Sequence, residues 1–593
     1  MATPIHMKSD RKGRKSRATK RVEKTSDQAP PSRSGLRDAI TIVALVVLTF
    51  LVYGSATSNG LLNWDDNEYI TDNPYLKDLS WTGLKNLFGA YLVGNYHPLT
   101  LLSYALEYAW SGRVDPALMH TTNVILHVCN TVLVLLLARR LLKDHWGGVI
   151  VALLFAVHPM HVESVAWIAE RKDVLYTLFF LLALLTYLRY TESPGPGRYA
   201  LCFLFFALSL LSKSAAAAMA PLLFVIDFWL GRALSWRTVL EKVPFFALAI
   251  GIGMVALSSQ AGAMDESFAP HFPLWQRPLV VGFALAFYLV HFVVPHGLSA
   301  IHPYPAEPGE GIAPYIGPTI GVVLVLSTAL IYAYRTRTYW RLTVTSLLFF
   351  LITLAMVLQF FPVGRAIVAE RYTYVPYFGP SLIVARLVVD AWRSGSGKAG
   401  FLAYLPATLL AFGLLAFIAV TTQRLAVWKT SFTLFADMLS KYPEDGLTHY
   451  NRGLTNFYAK NYQASIADYD ACVSYKPDCA PCYFNRGLAY KELGDMNAVI
   501  RDMDLAMRYK EPYPDAYRNR GNAKAMLQDY PGSIADFTRA RAYTPQDTNV
   551  LMNRGLSFHF GQLPDSACAD WRAAAALGSR KAATMVKDNC ADR

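Results

Sequence analysis

The chain has 593 residues, of which 53% are hydrophobic and only 17% are charged, against a charged share of roughly 25% in an average globular protein. This deficit and this length argue against a single soluble domain and favour a membrane protein. The net charge of +13 does not indicate nucleic-acid binding, because residues 1–37 alone hold eleven Lys and Arg against three Asp and Glu.

The basic segment 1–37 has no apolar periodicity. It predicts a disordered cytoplasmic tail, which either touches anionic lipid head groups or is a solvated topology signal without a partner. The first apolar run, Ala39 to Ala56, follows it. Because so long a basic segment precedes the run, we expect an uncleaved anchor with a cytoplasmic N-terminus rather than a cleaved signal peptide.

Apolar runs separated by short polar breaks continue to about residue 421 and predict an all-α, polytopic membrane domain over 38–421. The later runs lie near 119–141, 147–168, 174–190, 198–212, 215–231, 242–259, 278–296, 314–334, 342–362, 371–390 and 400–421. Twelve full crossings would place the basic break "RTRTYWR" outside, against the charge rule. We therefore expect about eleven crossings, with one run between 198 and 334 not crossing fully. Residues 57–118 then form a large extracytoplasmic loop.

The C-terminal part shows an internal repeat of 34 residues, the tetratricopeptide (TPR) period. The triplet "NRG" recurs at 451–453, 485–487, 519–521 and 553–555. Its glycines stand where the two helices of a repeat touch. We predict a half-repeat linker over 422–445 and a TPR α-solenoid over 446–593. Residues 570–586 should form the helix that caps it.

The loops expected on the far side of the membrane are rich in carboxylates, basic groups and aromatic rings. They are "GLLNWDDNEYITDNP" (60–74), "GNYHPLT" (94–100), "HPMHVESVAWIAERKD" (158–173) and "FPVGRAIVAERYTYVP" (361–376). A carboxylate can deprotonate an acceptor hydroxyl, and Arg or Lys can hold a departing phosphate. This combination favours chemistry on a lipid-linked sugar, although acidic residues at a membrane exit are also commonly only solvated.

Four of these segments resemble, in chain order, signatures of the transmembrane-and-TPR O-mannosyltransferases, which have the GT-C fold. The segments are "NWDDNEYITDNP", "YHPLTLLSYALEYAWSG", "HPMHVESVAWIAERKDVLYTLFFLLALLTYL" and "AERYTYVPYFG". The similarity runs from about residue 57 to 390, and the TPR array completes the architecture.

The resemblance implies that Asp65 or Asp66 is the catalytic base and that Glu163, which matches a family position, is a further catalytic residue. It also implies that Arg171 and Arg371 contact the lipid phosphate. His97 stands where the family tends to have Arg, and is assigned to the same phosphate site. A second departure is "LSKSAAAA" (211–218), which lacks the acidic residue expected after its lysine.

The implied activity is an inverting transfer of a sugar, mannose in most of the family, from a polyprenyl phosphate to Ser or Thr hydroxyls of proteins. The chain would lie in a bacterial inner membrane, with its TPR array outside the cytoplasm. The implied partners are the lipid-linked sugar, an acceptor protein and membrane lipids, without nucleic acid. A divalent metal is left open, because His158 and His161 near Glu163 are only a weak metal-binding pattern.

Asn451, Asn485, Asn519 and Asn553 recur at one position of the first helix in each repeat. A ladder of amides there could hydrogen-bond the backbone of an extended acceptor peptide, or it could support contacts between helices. The array could therefore recruit the acceptor. Two alternatives stay open: a non-catalytic TPR scaffold for protein assembly, and a GT-C transferase acting on a lipid or glycan.

Five of the seven cysteines lie in the array, including "CAPC" (479–482). In an oxidising compartment we expect disulfides between Cys472 and either Cys479 or Cys482, and between Cys568 and Cys590.

Overall fold

The computed structural model describes residues 33–261, 272–305, 311–358, 360, 366–395 and 404–590. Within these ranges the chain is almost entirely helical and forms no β-strand, only two isolated bridges. The predicted all-α fold class is confirmed. Of the predicted N-terminal tail, residues 1–32 lie outside the described part of the chain.

The N-terminal part contains sixteen α-helices within the described residues. They are α1 Arg33–Tyr53, α2 Trp81–Gly89, α3 Pro98–Ser111, α4 Pro116–Leu142, α5 His145–Val157, α6 Val162–Ala166, α7 Arg171–Glu192, α8 Pro196–Ser212, α9 Met219–Leu230, α10 Trp236–Leu240, α11 Val243–Ala261, α12 Arg277–Val293, α13 Ala313–Thr336, α14 Trp340–Leu354, α15 Phe378–Gly395 and α16 Leu405–Val427. Helix α4 packs against both α5 and α7, and these three helices carry much of the buried core.

Seven helical segments among the described residues are long and apolar enough to cross a membrane. The pair His145–Val157 and Pro159–Ala166, bent by 57°, would make an eighth span if it crosses as one. Pro159 follows the bend, since the residue before a proline is steered away from helical geometry. Three shorter apolar helices accompany these. The chain is thus an integral membrane protein, and the count of eleven crossings stays a prediction.

The array consists of ten α-helices, of which α17 is the predicted half-repeat. They are α17 Ser431–Lys441, α18 Gly446–Tyr458, α19 Tyr462–Tyr475, α20 Ala480–Glu492, α21 Met496–Tyr509, α22 Pro514–Met526, α23 Tyr530–Tyr543, α24 Thr548–Phe560, α25 Pro564–Ala576 and α26 Arg580–Asn589. Each helix packs mainly on its neighbours in the chain, as in a solenoid.

The glycine of each repeat lies where the two helices of that repeat touch. A Cβ added at Gly453 would meet the Tyr469 ring at 2.8 Å, and one at Gly555 would meet the Trp571 indole at 2.3 Å. Added carbons at the other two glycines would also lie close to side chains of the second helix. The small-residue position predicted from the period is confirmed.

The arginine after each repeated Asn binds an aspartate in the second helix of its own repeat. The pairs are Arg452–Asp468, Arg486–Asp502, Arg520–Asp536 and Arg554–Asp570. In two repeats the same arginine also reaches back to the preceding repeat, through Arg486–Asp470 and Arg520–Asp504. These charge-assisted bonds hold neighbouring repeats in register.

The closing segment differs from the prediction of one helix over 570–586. The chain breaks after α25 at residues 577–579, where Gly578 has a φ of +92°. That left-handed conformation ends a helix at little cost only for glycine. Helix α26 then packs on α25 and closes the array.

The cysteines of the array lie as the sequence suggests. Cys568 is bonded to Cys590, and the Sγ atoms of Cys472, Cys479 and Cys482 lie within 4.8 Å of one another. Cys482 is placed beside both of the others. One sulfur can close only one disulfide, so one thiol of the three is left over.

We expect three thiols to react with a maleimide when the unreduced full-length protein is denatured, and all seven to react after reduction. The three are Cys129 and Cys202, which are unpaired, and one cysteine of the group at 472–482. Mass spectrometry of the labelled peptides checks this count. Seven reactive thiols before reduction would contradict it, and would weaken an extracytoplasmic array, because disulfides persist mainly in oxidising compartments.

Candidate active site

The two adjacent aspartates of the acidic loop have different surroundings. Asp66 is fully buried, and its two carboxylate oxygens accept main-chain N–H bonds from Leu62 at 2.9 Å and from Ala169 at 3.0 Å. Asp65 is only partly buried and lies within electrostatic reach of Lys172 and other charged groups. Asp66 therefore joins the loop to the start of the α7 region, while the Asp65 carboxylate makes no hydrogen bond among the described residues.

Burial raises the pKa of both carboxyl groups. The pKa of Asp66 rises to about 7, although the N–H bonds from Leu62 and Ala169 oppose this shift. Burial also raises the pKa of Asp65, and the Lys172 ammonium lowers it in part. A base whose pKa lies above that of an ordinary aspartate is better matched to neutral pH.

The pKa of Asp66 gives a stability prediction with a definite sign. Folding raises the pKa from 3.8 to about 7. The stabilisation is therefore complete below about pH 4 and lost as the pH rises through about 7. We expect Asp66→Asn to lower the unfolding temperature in detergent more at pH 5 than at pH 8. The exposed Asp72→Asn corrects for charge in the same loop. If the difference in unfolding temperature between the wild type and Asp66→Asn grew as the pH rises, the raised pKa of Asp66 would be contradicted.

Three cations surround one buried carboxylate beside this loop. Lys172 Nζ lies 3.1 Å from Glu170 Oε1, and Arg371 Nε lies 3.2 Å from the same oxygen. Lys213 Nζ lies 3.5 Å from Glu170 Oε2 and 2.5 Å from Asp173. Because each cation is already fixed by a carboxylate, the cluster can present its remaining N–H donors to an anion in fixed positions.

Glu163 and Arg371, which the sequence places 208 residues apart, form an ion pair. Glu163 is fully buried, and its Oε2 also accepts the main-chain N–H of Arg371 at 2.9 Å. The guanidinium lies 5.7 Å from the centre of the Trp167 ring. Glu163 thus orients Arg371 and is itself shielded from solvent.

Arg171 lies apart from this cluster of cations. Its nitrogens donate to Asn123 Oδ1 at 2.8 Å, to Glu107 Oε2 at 2.6 Å and to the main-chain oxygen of Met119 at 2.7 Å. The side chain is fully buried, with its guanidinium 4.5 Å from the Tyr104 ring centre. These partners join α7 to α3 and α4. The phosphate contact predicted for Arg171 has no support in these surroundings.

His97 lies beside the cluster. It is buried, its ring centre lies 5.3 Å from that of Tyr69, and its Nε2 has no hydrogen-bond partner among the described residues. Burial lowers the pKa of His97 well below its usual value, and the charges of Lys172 and Lys213 lower it further. A neutral imidazole with an unpartnered nitrogen is suited to hydrogen-bond a ligand atom.

Each histidine considered as a metal ligand has a main-chain partner, and His161 Nε2 has no hydrogen-bond partner among the described residues. His158 Nε2 lies 3.2 Å from the carbonyl oxygen of Phe292, and His161 Nδ1 lies 2.9 Å from that of Phe155. Within the described ranges, the group of three ligand-type side chains close enough to share an ion is the cysteine group of the array.

The predicted asparagine ladder uses its amide nitrogens within the array. Asn451, Asn485 and Asn519 each donate to the carbonyl four residues earlier, and Asn553 donates to Asn522. A side-chain amide has two N–H donors and one acceptor oxygen, so these bonds leave the ladder its oxygens and, at Asn451, Asn519 and Asn553, a second N–H. A cavity of about 460 Å³ lies beside the Asn522–Asn553 pair and is lined also by Met526 and Phe560.

Sequence reasoning missed Glu170, Lys172 and Lys213 as members of the site. A signal was present in "ERKD", four consecutive charged residues at the start of an apolar run. Ionisable groups at such a position are costly in a membrane and indicate function. The contact between Lys213 and Asp173 joins residues from two different apolar runs, which the linear order does not reveal.

The chain is similar to members of two known families. A family model described as dolichyl-phosphate-mannose-protein mannosyltransferase matches residues 116–259, and a tetratricopeptide repeat model matches 448–479 and 480–512. The protein O-mannosyl-transferase TMTC3 of Homo sapiens is 26% identical over 470 residues, which is 70% of this chain and 49% of that protein. The predicted resemblance to the transmembrane-and-TPR O-mannosyltransferases is confirmed.

Further relatives have the same description. A Caenorhabditis elegans protein O-mannosyl-transferase is 25% identical over 74% of this chain and 64% of its own length. Drosophila melanogaster Tmtc1 is 32% identical over 30% of this chain and 22% of its own length. The chain thus spans less than two thirds of these relatives. The crystal structure of MamA covers 26% of this chain with a TM-score of 0.25 and 19% identity.

Proposed function

We propose that this relative of the protein O-mannosyl-transferases moves mannose from a polyprenyl phosphate to Ser or Thr hydroxyls of proteins at the extracytoplasmic face. The observation that supports this best is that Asp65, a half-buried residue, lies within electrostatic reach of Lys172 and Arg371, two cations that Glu170 fixes in place. A single displacement at the anomeric carbon needs a base for the acceptor hydroxyl and, beside it, cations that bind the departing phosphate.

In the proposed reaction, Asp65 takes the proton of the acceptor hydroxyl as its oxygen attacks the anomeric carbon. The bond from that carbon to the phosphate oxygen breaks on the opposite side, so the configuration inverts. Lys172, Lys213 and Arg371 stabilise the charge that develops on the departing lipid phosphate. His97 Nε2 is unpartnered and contributes a hydrogen bond on the same side.

Two charged groups of the site support these residues without touching the reacting atoms. Glu163 orients Arg371 through a main-chain and a side-chain bond, and Arg171 joins α7, which carries Lys172, to α3 and α4. The array recruits the acceptor, and the side-chain amides of Asn451, Asn485, Asn519 and Asn553 hydrogen-bond the backbone of an extended chain.

The test is an assay with purified full-length protein in nanodiscs, a membrane extract as acceptor, and radiolabelled polyprenyl phosphates that carry mannose or glucose. The expected product is label on protein that alkaline β-elimination releases, because only Ser- and Thr-linked sugars leave in this way. Label on a lipid or a glycan would make the chain a transferase for another acceptor. Absence of turnover with either donor would favour a TPR scaffold.

A further inference from the structure

The stretch of the acidic loop before Asp65 lies against the array. The Gly60 main-chain N–H donates to the carbonyl of Lys429 at 3.0 Å, and that of Asn63 donates to Ser431 Oγ at 2.8 Å. The Trp64 and Phe435 ring centres lie 5.9 Å apart. Residues 60–64 therefore contact both the linker after α16 and the half-repeat helix α17.

Asn63 makes the most specific of these contacts. Its Nδ2 donates at 3.2 Å to the main-chain oxygen of Asn451 and at 3.2 Å to Thr455 Oγ1, both on α18 of the first full repeat. Its Oδ1 accepts from Asn67 Nδ2 at 2.7 Å, which closes the loop on itself. The Asn63 side chain thus connects the loop to the first repeat and also to Asn67, which follows the two aspartates in the chain. We refer to the contacts of Asn63 with Asn451 and Thr455 as the Asn63 clasp.

Asn63 lies two residues before Asp65 in the chain. Asp66, which directly follows Asp65, accepts the main-chain N–H of Ala169 at 3.0 Å. Asp65 is therefore held between two anchors, one on the array and one on the membrane domain. The carboxylate of a base must be held close to its productive position, since a displacement of roughly 1 Å can cost about 100-fold in rate.

We propose that Asn63 is a positioning residue that acts through Asp65, and that the first TPR repeat completes the catalytic site by holding the acidic loop. This inference rests on the proposed transfer reaction and gives the array a second role beside recruiting the acceptor.

The proposal is tested with Asn63→Ala and Thr455→Val in the full-length protein. The matched control is Asn456→Ala, because Asn456 is the next residue on α18 but its amide donates within the repeat, to Asp468 at 2.9 Å. We expect both clasp variants to lower kcat by about 10- to 100-fold, while the KM for the lipid donor stays within about twofold, as expected when bound substrate is oriented less well. Asn456→Ala should keep the wild-type rate.

Two further measurements separate positioning from recruitment. Without any acceptor protein, slow transfer of the labelled sugar to water should fall equally in Asn63→Ala and Thr455→Val, and the double variant should be no worse than either one. The contrary result is that Asn63→Ala transfers sugar to water at the wild-type rate and raises only the KM for acceptor protein. This would overturn the proposal and leave the array with the role of recruiting the acceptor.

The Asn63 clasp can also be tested if the proposed function is wrong. If wild-type protein transfers no sugar from any donor, the proposed reaction fails, and the clasp is judged by hydrogen exchange of residues 60–70. Exchange there should be at least about tenfold faster in Asn63→Ala than in Asn456→Ala, since a tenfold change corresponds to one ordinary hydrogen bond. Equal exchange in the two variants would contradict the clasp itself.

Discussion

Asp65→Asn is expected to lower the proposed sugar transfer by about 100- to 10,000-fold, the usual contribution of a general base, while the stability of the fold is unchanged. The substitution keeps the size of the side chain but removes its ability to take a proton. Asp65 is half-buried, and the described contacts give its carboxylate charged neighbours rather than main-chain hydrogen bonds.

Asp66→Asn is the matched control and should show the opposite result. An amide has one oxygen, so it can satisfy only one of the N–H groups of Leu62 and Ala169 that Asp66 now accepts. We expect a loss of about 1–3 kcal/mol in the free energy of unfolding, with activity that follows the folded fraction. Transfer rates and thermal unfolding of both variants, measured in one detergent, distinguish the two aspartates.

The pH profile of the wild type gives an independent check on Asp65. Burial raises its pKa above the usual aspartate value, while Lys172 lowers it and Glu170 raises it. Activity should therefore increase with pH up to a bend above about pH 4, the ordinary carboxyl value. Lys172→Met removes the opposing charge and should move that bend to higher pH. A bend that moves to lower pH would contradict the role of Asp65.

Arg371→Met is expected to be the most damaging single change in the cation cluster. It removes a donor aimed at the departing phosphate, which costs about 100- to 1,000-fold in rate. It also leaves Glu163, which is fully buried, without its ion-pair partner. Breaking a buried ion pair from one side costs about 3–5 kcal/mol. Rate and stability should therefore both fall.

The double variant Arg371→Met/Glu163→Gln separates these effects. With both charges gone, no unpaired charge is left in the interior, so much of the stability should return. The rate should stay low, because the phosphate still lacks its partner. Thermal unfolding and transfer assays on the two single variants and the double variant complete the cycle. Recovery of both stability and rate would reduce Arg371 to a structural role.

The array was the most predictable part of the fold. A period of 34 residues identifies each helix pair, and Gly453 and Gly555 lie at helix contacts because a larger residue would not fit there. The extent of the last helix was not predictable from the alanine-rich composition of 570–586, because the break depends on one left-handed residue, Gly578.

The candidate site was predictable by residue type but not by orientation. The pattern "WDD" marks two carboxylates, and only the fold shows that Asp66 is bonded to Ala169 while Asp65 has Lys172 and other charged groups as neighbours. Arg171 and Lys172 are also adjacent in sequence, yet one binds Glu107 between helices and the other binds Glu170 in the cluster. Neighbouring side chains on a helix point in different directions, so composition alone cannot assign them.

The contact of the acidic loop with the array was also beyond sequence reasoning. Asn63 and Thr455 are 392 residues apart, and neither belongs to a pattern that requires the other. Polar residues with such distant partners look like ordinary loop and helix-surface residues until the two domains are placed together.

The most direct measurement is the transfer of radiolabelled mannose from polyprenyl phosphate to protein by three full-length proteins: the wild type, Asp65→Asn and Asp66→Asn. Rates are divided by the folded fraction of each sample. We expect base-releasable label on protein with the wild type and Asp66→Asn, and label lower by at least about 100-fold with Asp65→Asn. Transfer by Asp65→Asn at the wild-type rate would contradict the assignment of the base and the mechanism built on it.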